Sequence, residues 1–236
     1  MAKDLGGDIM NILLVGANGR MGSIIQKENY KNVSVVAGLD INKGGKIPVY
    51  NYFSEIPQKL MDDIDMVLDF SSPCVLTNEL IFCKKNKLPL VVCCTGHSEK
   101  QMAIMTEYSK HIPILKLDNT SFGIYIIKKM LNSVKALIGD YDVCIIEAHH
   151  KNKKDAPSGT AKLIKNILEN ESINTYSIRV GGVVGEHEVR LLGKCEQISI
   201  KHIAEDRSLF AKGALKICEK FSHIKNNGMY EIDDIF

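Results

Sequence analysis

The first half of this 236-residue chain predicts an α/β fold built on a Rossmann-like, doubly wound parallel sheet. Its short apolar runs are unbroken rather than alternating and are separated by helical periods, as expected of strands covered on both faces. A glycine trio, Gly16, Gly19 and Gly22, follows the first run directly, where such a sheet turns from strand to helix. Beyond about residue 170, strand-like runs succeed one another without helices between them. That predicts an inserted α+β unit with a mixed sheet.

The elements follow in order. An apolar strand over 11–15 leads through the glycines into a helix over 19–27, and a second strand over 33–39 ends at Asp40. Further strands are predicted at 66–70, 90–94 and 112–117, with helices over 73–85 and 99–110. After residue 119 the pattern changes. Ile124, Ile127, Leu131, Val134 and Ile138 share one face of a helix over 121–138. A strand over 141–148, a polar loop and a helix over 159–168 come next. Strand-like runs around Ile178, Val189 and Ile198 lead to a closing helix over 207–221.

Composition narrows the function. Thirty Lys and Arg against 28 Asp and Glu leave a net charge of +2, which gives no support to nucleic-acid or membrane-surface binding as the main task. Aromatic residues are 6% of the chain and Trp is absent, so base-stacking platforms are not expected. No apolar run approaches the roughly 18 residues of a membrane span. Residues 1–10 carry Asp4 and Asp8 and no apolar core, so they do not read as a secretory signal. Periodic sequence begins at Asn11; Met10 is read as a candidate start and residues 1–9 as a dispensable leader. The seven cysteines, without a CxxC pair or zinc spacing, read as buried reduced thiols of a cytoplasmic protein. Cys93 and Cys94 are expected to point to opposite faces of a strand.

Two segments carry chemistry. In Gly16-Ala17-Asn18-Gly19-Arg20-Met21-Gly22, glycines allow a tight turn and a close approach to pyrophosphate, and the following helix N-terminus offers free N–H groups. Asp40, 18 residues after Gly22, stands where a carboxylate accepts from a ribose 2′-OH. Together these predict a nicotinamide dinucleotide site. Two further loops, Cys93-Cys94-Thr95-Gly96 and Asp118-Asn119-Thr120-Ser121, sit at strand C-termini. Alone each reads as a turn with a helix cap; beside a cofactor both become walls for the nicotinamide ribose.

The second segment runs from Glu147 to Ala161 as EAHHKNKKDAPSGTA. A solvated charge run is one reading of it. A basic nucleic-acid patch lacks aromatics, and a metal site lacks a third ligand at suitable spacing, so no metal is expected. The other reading is catalytic. Pro157-Ser158-Gly159-Thr160 starts a helix whose N–H groups suit a carboxylate. Lys153 supplies a point charge or a proton, and His149 or His150 can shuttle protons near neutral pH.

GANGRMG and ExHxxxKxDxPSGTA together resemble the dihydrodipicolinate reductase family, as do Val184-Gly185-Glu186-His187 and the helix beginning at Arg207. The resemblance implies a dinucleotide-binding domain formed by 1–120 and 208–236. It also implies a substrate-binding and tetramerisation domain over 121–207, hence a homotetramer. It places Gly16, Ala17, Asn18, Gly19, Arg20 and Met21 on the pyrophosphate and Asp40 on the adenosine ribose. Cys93, Cys94, Thr95, Asp118, Asn119, Thr120 and Ser121 fall at the nicotinamide end. It makes His149 a proton donor/acceptor and Lys153 a proton donor. His150, Lys153, Ser158, Gly159 and Thr160 become substrate contacts, and the substrate a small dicarboxylate reduced with NAD(P)H.

Asp40 followed by Ile41 rather than Arg predicts NADH as the preferred cofactor. NADPH is also used, because Lys43 and Lys46 lie close behind. Two departures from the family pattern stand out. Cys144 occupies a place usually acidic, and the stretch between Leu168 and Val180 is shorter than usual.

Overall fold

The protein is described here by a computed structural model covering residues 9–170 and 172–236; all of the expected leader but Ile9 lies outside the described residues. In chain order the elements are β1 (Met10–Val15), α1 (Arg20–Ile25), β2 (Val33–Leu39), β3 (Val49–Tyr50), α2 (Gln58–Met61), β4 (Met66–Asp69), α3 (Leu76–Asn86), β5 (Leu90–Val92), α4 (Glu99–Ser109) and β6 (Pro113–Lys116). There follow α5 (Phe122–Val134), β7 (Asp142–His149), α6 (Gly159–Ile167), β8 (Asn174–Arg179), β9 (Gly185–Leu192), β10 (Gln197–Ala204), α7 (Ser208–Phe221) and β11 (Gly228–Tyr230). The chain divides into two compact units. One runs up to Thr120 and resumes at Phe210–Phe236; the other is Ser121–Leu209.

The first unit holds a seven-stranded sheet in the order β11-β6-β5-β4-β1-β2-β3, parallel at every pairing. Its strands read as unbroken apolar runs because both faces are covered. Leu13, Val15, Val67, Leu90 and Val92 pack on one side with Leu76, Leu80 and Cys83 of α3. Ile12, Leu14, Met66, Leu68 and Val91 pack on the other with Ile25 of α1 and Ala214, Leu215, Cys218 and Phe221 of α7. The chain leaves β1 toward β2 and β3, then returns to β4 on the opposite side. This makes the C-terminal ends of β1 and β4 the switch point at which such sheets bind ligands. Gly16 lies there at φ +79°, and a Cβ on it would come 2.8 Å from the Phe70 carbonyl oxygen, so no other residue fits.

The second unit is a four-stranded sheet in the order β10-β9-β7-β8. Strand β7 pairs parallel with β8 and antiparallel with β9, so the sheet is mixed. One end of its inner face is apolar: Ile145, Val189 and Leu191 pack with Leu131 of α5 and with Ala161 and Ile164 of α6.

Several expectations are corrected. The helix expected over 121–138 ends at Val134 and tightens into a 3-10 turn, Lys135–Leu137. The strand expected over 90–94, β5, stops at Val92, so Cys93 and Cys94 lie just beyond it, yet they join opposite cores as expected. Not all thiols are buried: Cys74 and Cys195 are exposed. Strands β3 and β11 and helix α2 were not expected; each has four residues or fewer. Cys144 is half-buried, opposite Asn174 and Arg190 on the outer face of the second sheet.

Candidate active site

In the first unit, the loop after β1 borders a cavity of about 1050 Å³, lined by Gly16, Asn18, Gly19, Asp40 and Ile41 on one side and by Ser71, Ile81 and Lys85 on the other. Ala17 is fully buried beneath it, and Arg20 and Met21 form the first turn of α1. Asp40 builds this loop as well as facing the cavity. Its Oδ2 accepts the Asn18 N–H at 2.9 Å and its Oδ1 the Asn42 N–H at 2.9 Å. Each oxygen keeps a second lone pair for a hydroxyl donor. The Asn18 amide donates to the carbonyls of Asn42 and Gly44, tying the glycine loop to the loop that carries Lys43.

The remaining loop residues do not line that cavity. Thr95 and Asp118 are exposed, Asn119 is half-buried, and the Thr120 hydroxyl donates to the Phe210 carbonyl at 2.9 Å. The Cys94 thiol donates to Asp69, whose charge adds to burial in holding it protonated. Ser121 belongs to the second unit, where it caps α5 by accepting the Ile124 N–H.

In the second unit, the end of the sheet face opposite the apolar core is polar. Cross-strand register sets Ser177, Glu147, His187 and His202 in one row, from β8 through β7 and β9 to β10. Glu147 has no exposed surface. Its Oε1 accepts Arg179 Nη2 at 2.6 Å and the Ser158 N–H at 3.3 Å. Its Oε2 accepts Arg179 Nη1 at 2.9 Å and meets His149 Nδ1 at 2.5 Å. Burial pushes the Glu147 carboxyl up, but hydrogen bonds from Arg179, Ser177 and His149 outweigh it and hold it at about 2. An ionised carboxylate only accepts, so His149 Nδ1 carries the proton and Nε2 keeps its lone pair. Burial lowers the His149 pKa, with Lys153 and Arg179 acting the same way and Glu147 against them; the imidazole is neutral at pH 7.

His149 closes β7 and opens the loop that carries the other expected residues. His150 is half-buried, and Lys153 pairs with Asp155 at 2.9 Å. The loop ends through a cis Ala156–Pro157 peptide at Ser158, the N-cap of α6. Gly159 and Thr160 form the first turn, Gly159 exposed and Thr160 half-buried. The Ser158 hydroxyl accepts the Ala161 N–H and meets His187 Nε2 at 2.9 Å. One short segment thus brings together a neutral imidazole, an ammonium and a helix N-terminus, a set suited to moving a proton beside a bound carboxylate.

Arg179, Ser177 and His202 were missed by sequence reasoning, and neither Glu147 nor His187 had been given a role. Arg179 lies 32 residues from Glu147, and only the parallel register of β8 brings it there. Among the described residues no group of three or more His, Cys, Asp or Glu could hold a metal ion, and no helix is long and apolar enough to cross a membrane.

Residues 10–120 match the family model for the dihydrodipicolinate reductase N-terminus, and residues 123–236 the model for its C-terminus. The 4-hydroxy-tetrahydrodipicolinate reductase of Clostridium novyi (strain NT) is 39% identical over 249 residues, covering 95% of this chain and 97% of that protein. The one from Buchnera aphidicola subsp. Cinara cedri is 36% identical, covering 95% and 96%. Among solved structures, a dipicolinate-bound dihydrodipicolinate reductase from Paenisporosarcina sp. TG-14 superposes with a TM-score of 0.80 at 20% identity, over 97% of this chain and all of that one. An aspartate dehydrogenase from Thermotoga maritima gives 0.55 at 16% identity, over 92% and 98%.

Proposed function

The chain belongs to the dihydrodipicolinate reductase family, and from that premise we propose how its residues carry out the family's reaction. The enzyme is a 4-hydroxy-tetrahydrodipicolinate reductase of lysine and diaminopimelate biosynthesis, dependent on a pyridine nucleotide. One NAD(P)H, one proton and (2S,4S)-4-hydroxy-2,3,4,5-tetrahydrodipicolinate give NAD(P)⁺, water and (S)-2,3,4,5-tetrahydrodipicolinate.

The observation that carries the mechanism is the neutral His149 with Nδ1–H committed to Glu147, on the loop that also bears Lys153. Loss of the 4-hydroxyl as water needs a proton removed from the neighbouring carbon and one delivered to the leaving oxygen. His149 Nε2 can take the first and the Lys153 ammonium can give the second. When bound, the dihydronicotinamide supplies a hydride to the carbon that lost the hydroxyl. The neighbouring carbon then regains the proton held on His149, and the one proton consumed overall recharges Lys153. One substrate carboxylate rests on the N–H groups of Gly159 and Thr160, and the other lies near His150 and Lys153. A relative that binds dipicolinate supports this dicarboxylate reading.

The first unit is the dinucleotide-binding domain. Gly16 to Met21 hold the pyrophosphate and Asp40 the adenosine ribose, supported by the cavity that Gly16, Asn18, Gly19 and Asp40 border. The loops at 93–95 and 118–121 serve the nicotinamide end. NADH is preferred and NADPH is accepted. The second unit binds substrate and associates into a cytoplasmic homotetramer. Its outer sheet face supports that reading, because Tyr176, Ile178 and Ile203 are exposed there. A monomer in light scattering at micromolar concentration, with full activity, would refute it.

The test of the chemistry is to supply the aldol product of pyruvate and aspartate semialdehyde and follow NAD(P)H absorbance. His149→Ala and Lys153→Ala are expected to lower turnover by ~10²–10⁴-fold while dinucleotide affinity stays nearly unchanged. A loss below threefold in both would remove the loop from the chemistry. Pyridine-2,6-dicarboxylate should compete with substrate, and should bind less well to Thr160→Val and Lys153→Met.

A further inference from the structure

Arg179 touches none of the groups assigned to substrate or cofactor, yet it bonds to both parts of the acid–base site. Its guanidinium forks onto both Glu147 oxygens, and its Nη2 also donates to the Asp155 carbonyl at 2.7 Å. It stands directly opposite His149 in the β7–β8 register. One side chain therefore grips the carboxylate that orients His149 and the loop that carries Lys153. We propose that Arg179 is a positioning residue for the reaction, holding Glu147 and the 150–158 loop so that His149 presents a neutral Nε2 and Lys153 keeps its place.

This rests on the acid–base reading of His149 above. The physical argument is one of charge. A buried carboxylate bonded to an imidazole favours the imidazolium, which has no lone pair for accepting a proton. A bidentate guanidinium on the same carboxylate cancels that field without taking away the oxygen that fixes the ring. The groups facing His149 come from every neighbouring element. They are Glu147 on β7, Arg179 on β8, His187 edge-on from β9 with ring centroids 5.1 Å apart, and Lys153 on the loop, itself paired with Asp155. His202 lies one strand beyond His187. Of these, only Glu147 and Asp155 carry negative charge, and Arg179 contacts both residues, bonding the carboxylate of the first and the backbone carbonyl of the second.

The experiment uses the full chain with Arg179→Met and Arg179→Lys. Isotope-labelled histidine NMR reads the tautomer and titration midpoint of His149, assigned with His149→Gln, alongside pH profiles of kcat and KM. Arg179→Met is expected to lower kcat about tenfold or more, with the dinucleotide KM changed less than twofold. It should also raise the His149 midpoint, and with it the acid limb of kcat, by about one unit. Arg179→Lys keeps the charge and loses the fork, so it should restore the midpoint while leaving kcat below wild type. A His149 midpoint and tautomer unchanged in Arg179→Met would overturn the proposal. If that variant does not fold, wild-type kcat in Arg179→Lys would overturn it instead. His149→Gln turning over at the wild-type rate would sink the acid–base reading, and the NMR midpoint would still decide whether Arg179 governs the imidazole.

Discussion

The hydroxyl of Ser158 lies 2.9 Å from His187 Nε2 while accepting the N–H of Ala161, so one serine both starts helix α6 and ties it to the sheet. Removing the hydroxyl leaves the Ala161 N–H of the first turn uncapped and strips His187 Nε2 of its oxygen partner, while His187 Nδ1 is already buried without a partner among the described residues. Ser158→Ala is expected to lose about 2 kcal/mol of unfolding free energy, readable as a shift in the urea midpoint. A change below a few tenths would mean that the cap is dispensable.

Stability is expected to fall as pH drops from neutrality, in two stages. Burial, with His149 nearby, lowers the His187 pKa from 6.5 to about 4. Between those values the unfolded chain holds a proton that the folded one refuses, so unfolding gains on acidification, by on the order of 3 kcal/mol at most. Glu147, lowered from 4.5 to about 2, adds a second loss as pH falls below 4.5. Urea midpoints at pH 7, 5.5 and 4.5 check the first stage, and His187→Gln should flatten it.

For the cofactor, the expected outcome is NADH preferred over NADPH by about tenfold in kcat/KM. Asp40 is held by two backbone N–H groups with its charge toward the cavity, whereas Ile41 is 89% exposed and uncharged. Lys43 lies 3.8 Å from Glu55, which offsets part of its pull on a 2′-phosphate. Ile41→Arg should move the ratio toward NADPH and Lys43→Ala away from it. A wild-type preference for NADPH of tenfold or more would contradict the role given to Asp40.

Gly22→Ala tests how tightly the first helix sits on the strand. A Cβ there would fall 2.1 Å from the Gly16 carbonyl oxygen and 2.4 Å from that of Ala17, both backbone atoms that cannot step aside. The variant is expected to weaken NADH binding, by calorimetry, more than it lowers Tm, because the atoms displaced belong to the glycine loop itself.

The first unit was legible wherever burial on both faces wrote itself into composition: β1, β2 and β4 are mostly apolar without strict alternation, and Gly16 and Asp40 mark the switch point. Strands β3 and β11 left no comparable trace, since two or three residues pairing at a sheet edge impose no periodicity. In the second unit, EAHHKNKKDAPSGTA announced His149, Lys153 and Ser158 because they are close in sequence. Arg179 ends a strand, Asn174–Arg179, that is mostly exposed and polar, and its importance comes from register alone. The same holds for His202, which meets Ser121 across 81 residues.

The inner face of the second sheet, apolar at one end and threaded by Ser177, Glu147, His187 and His202 at the other, places two kinds of constraint side by side on the same strands. Around Ile145 and Val189 a replacement is judged by its volume, and several aliphatic side chains would pass. Two residues along β7, at Glu147, it is judged by the count of donors and acceptors, and almost nothing passes. Sequence drift in this enzyme can therefore retune the rigidity of the unit from the apolar end while leaving the reaction untouched, whereas the polar end can change only by concerted steps.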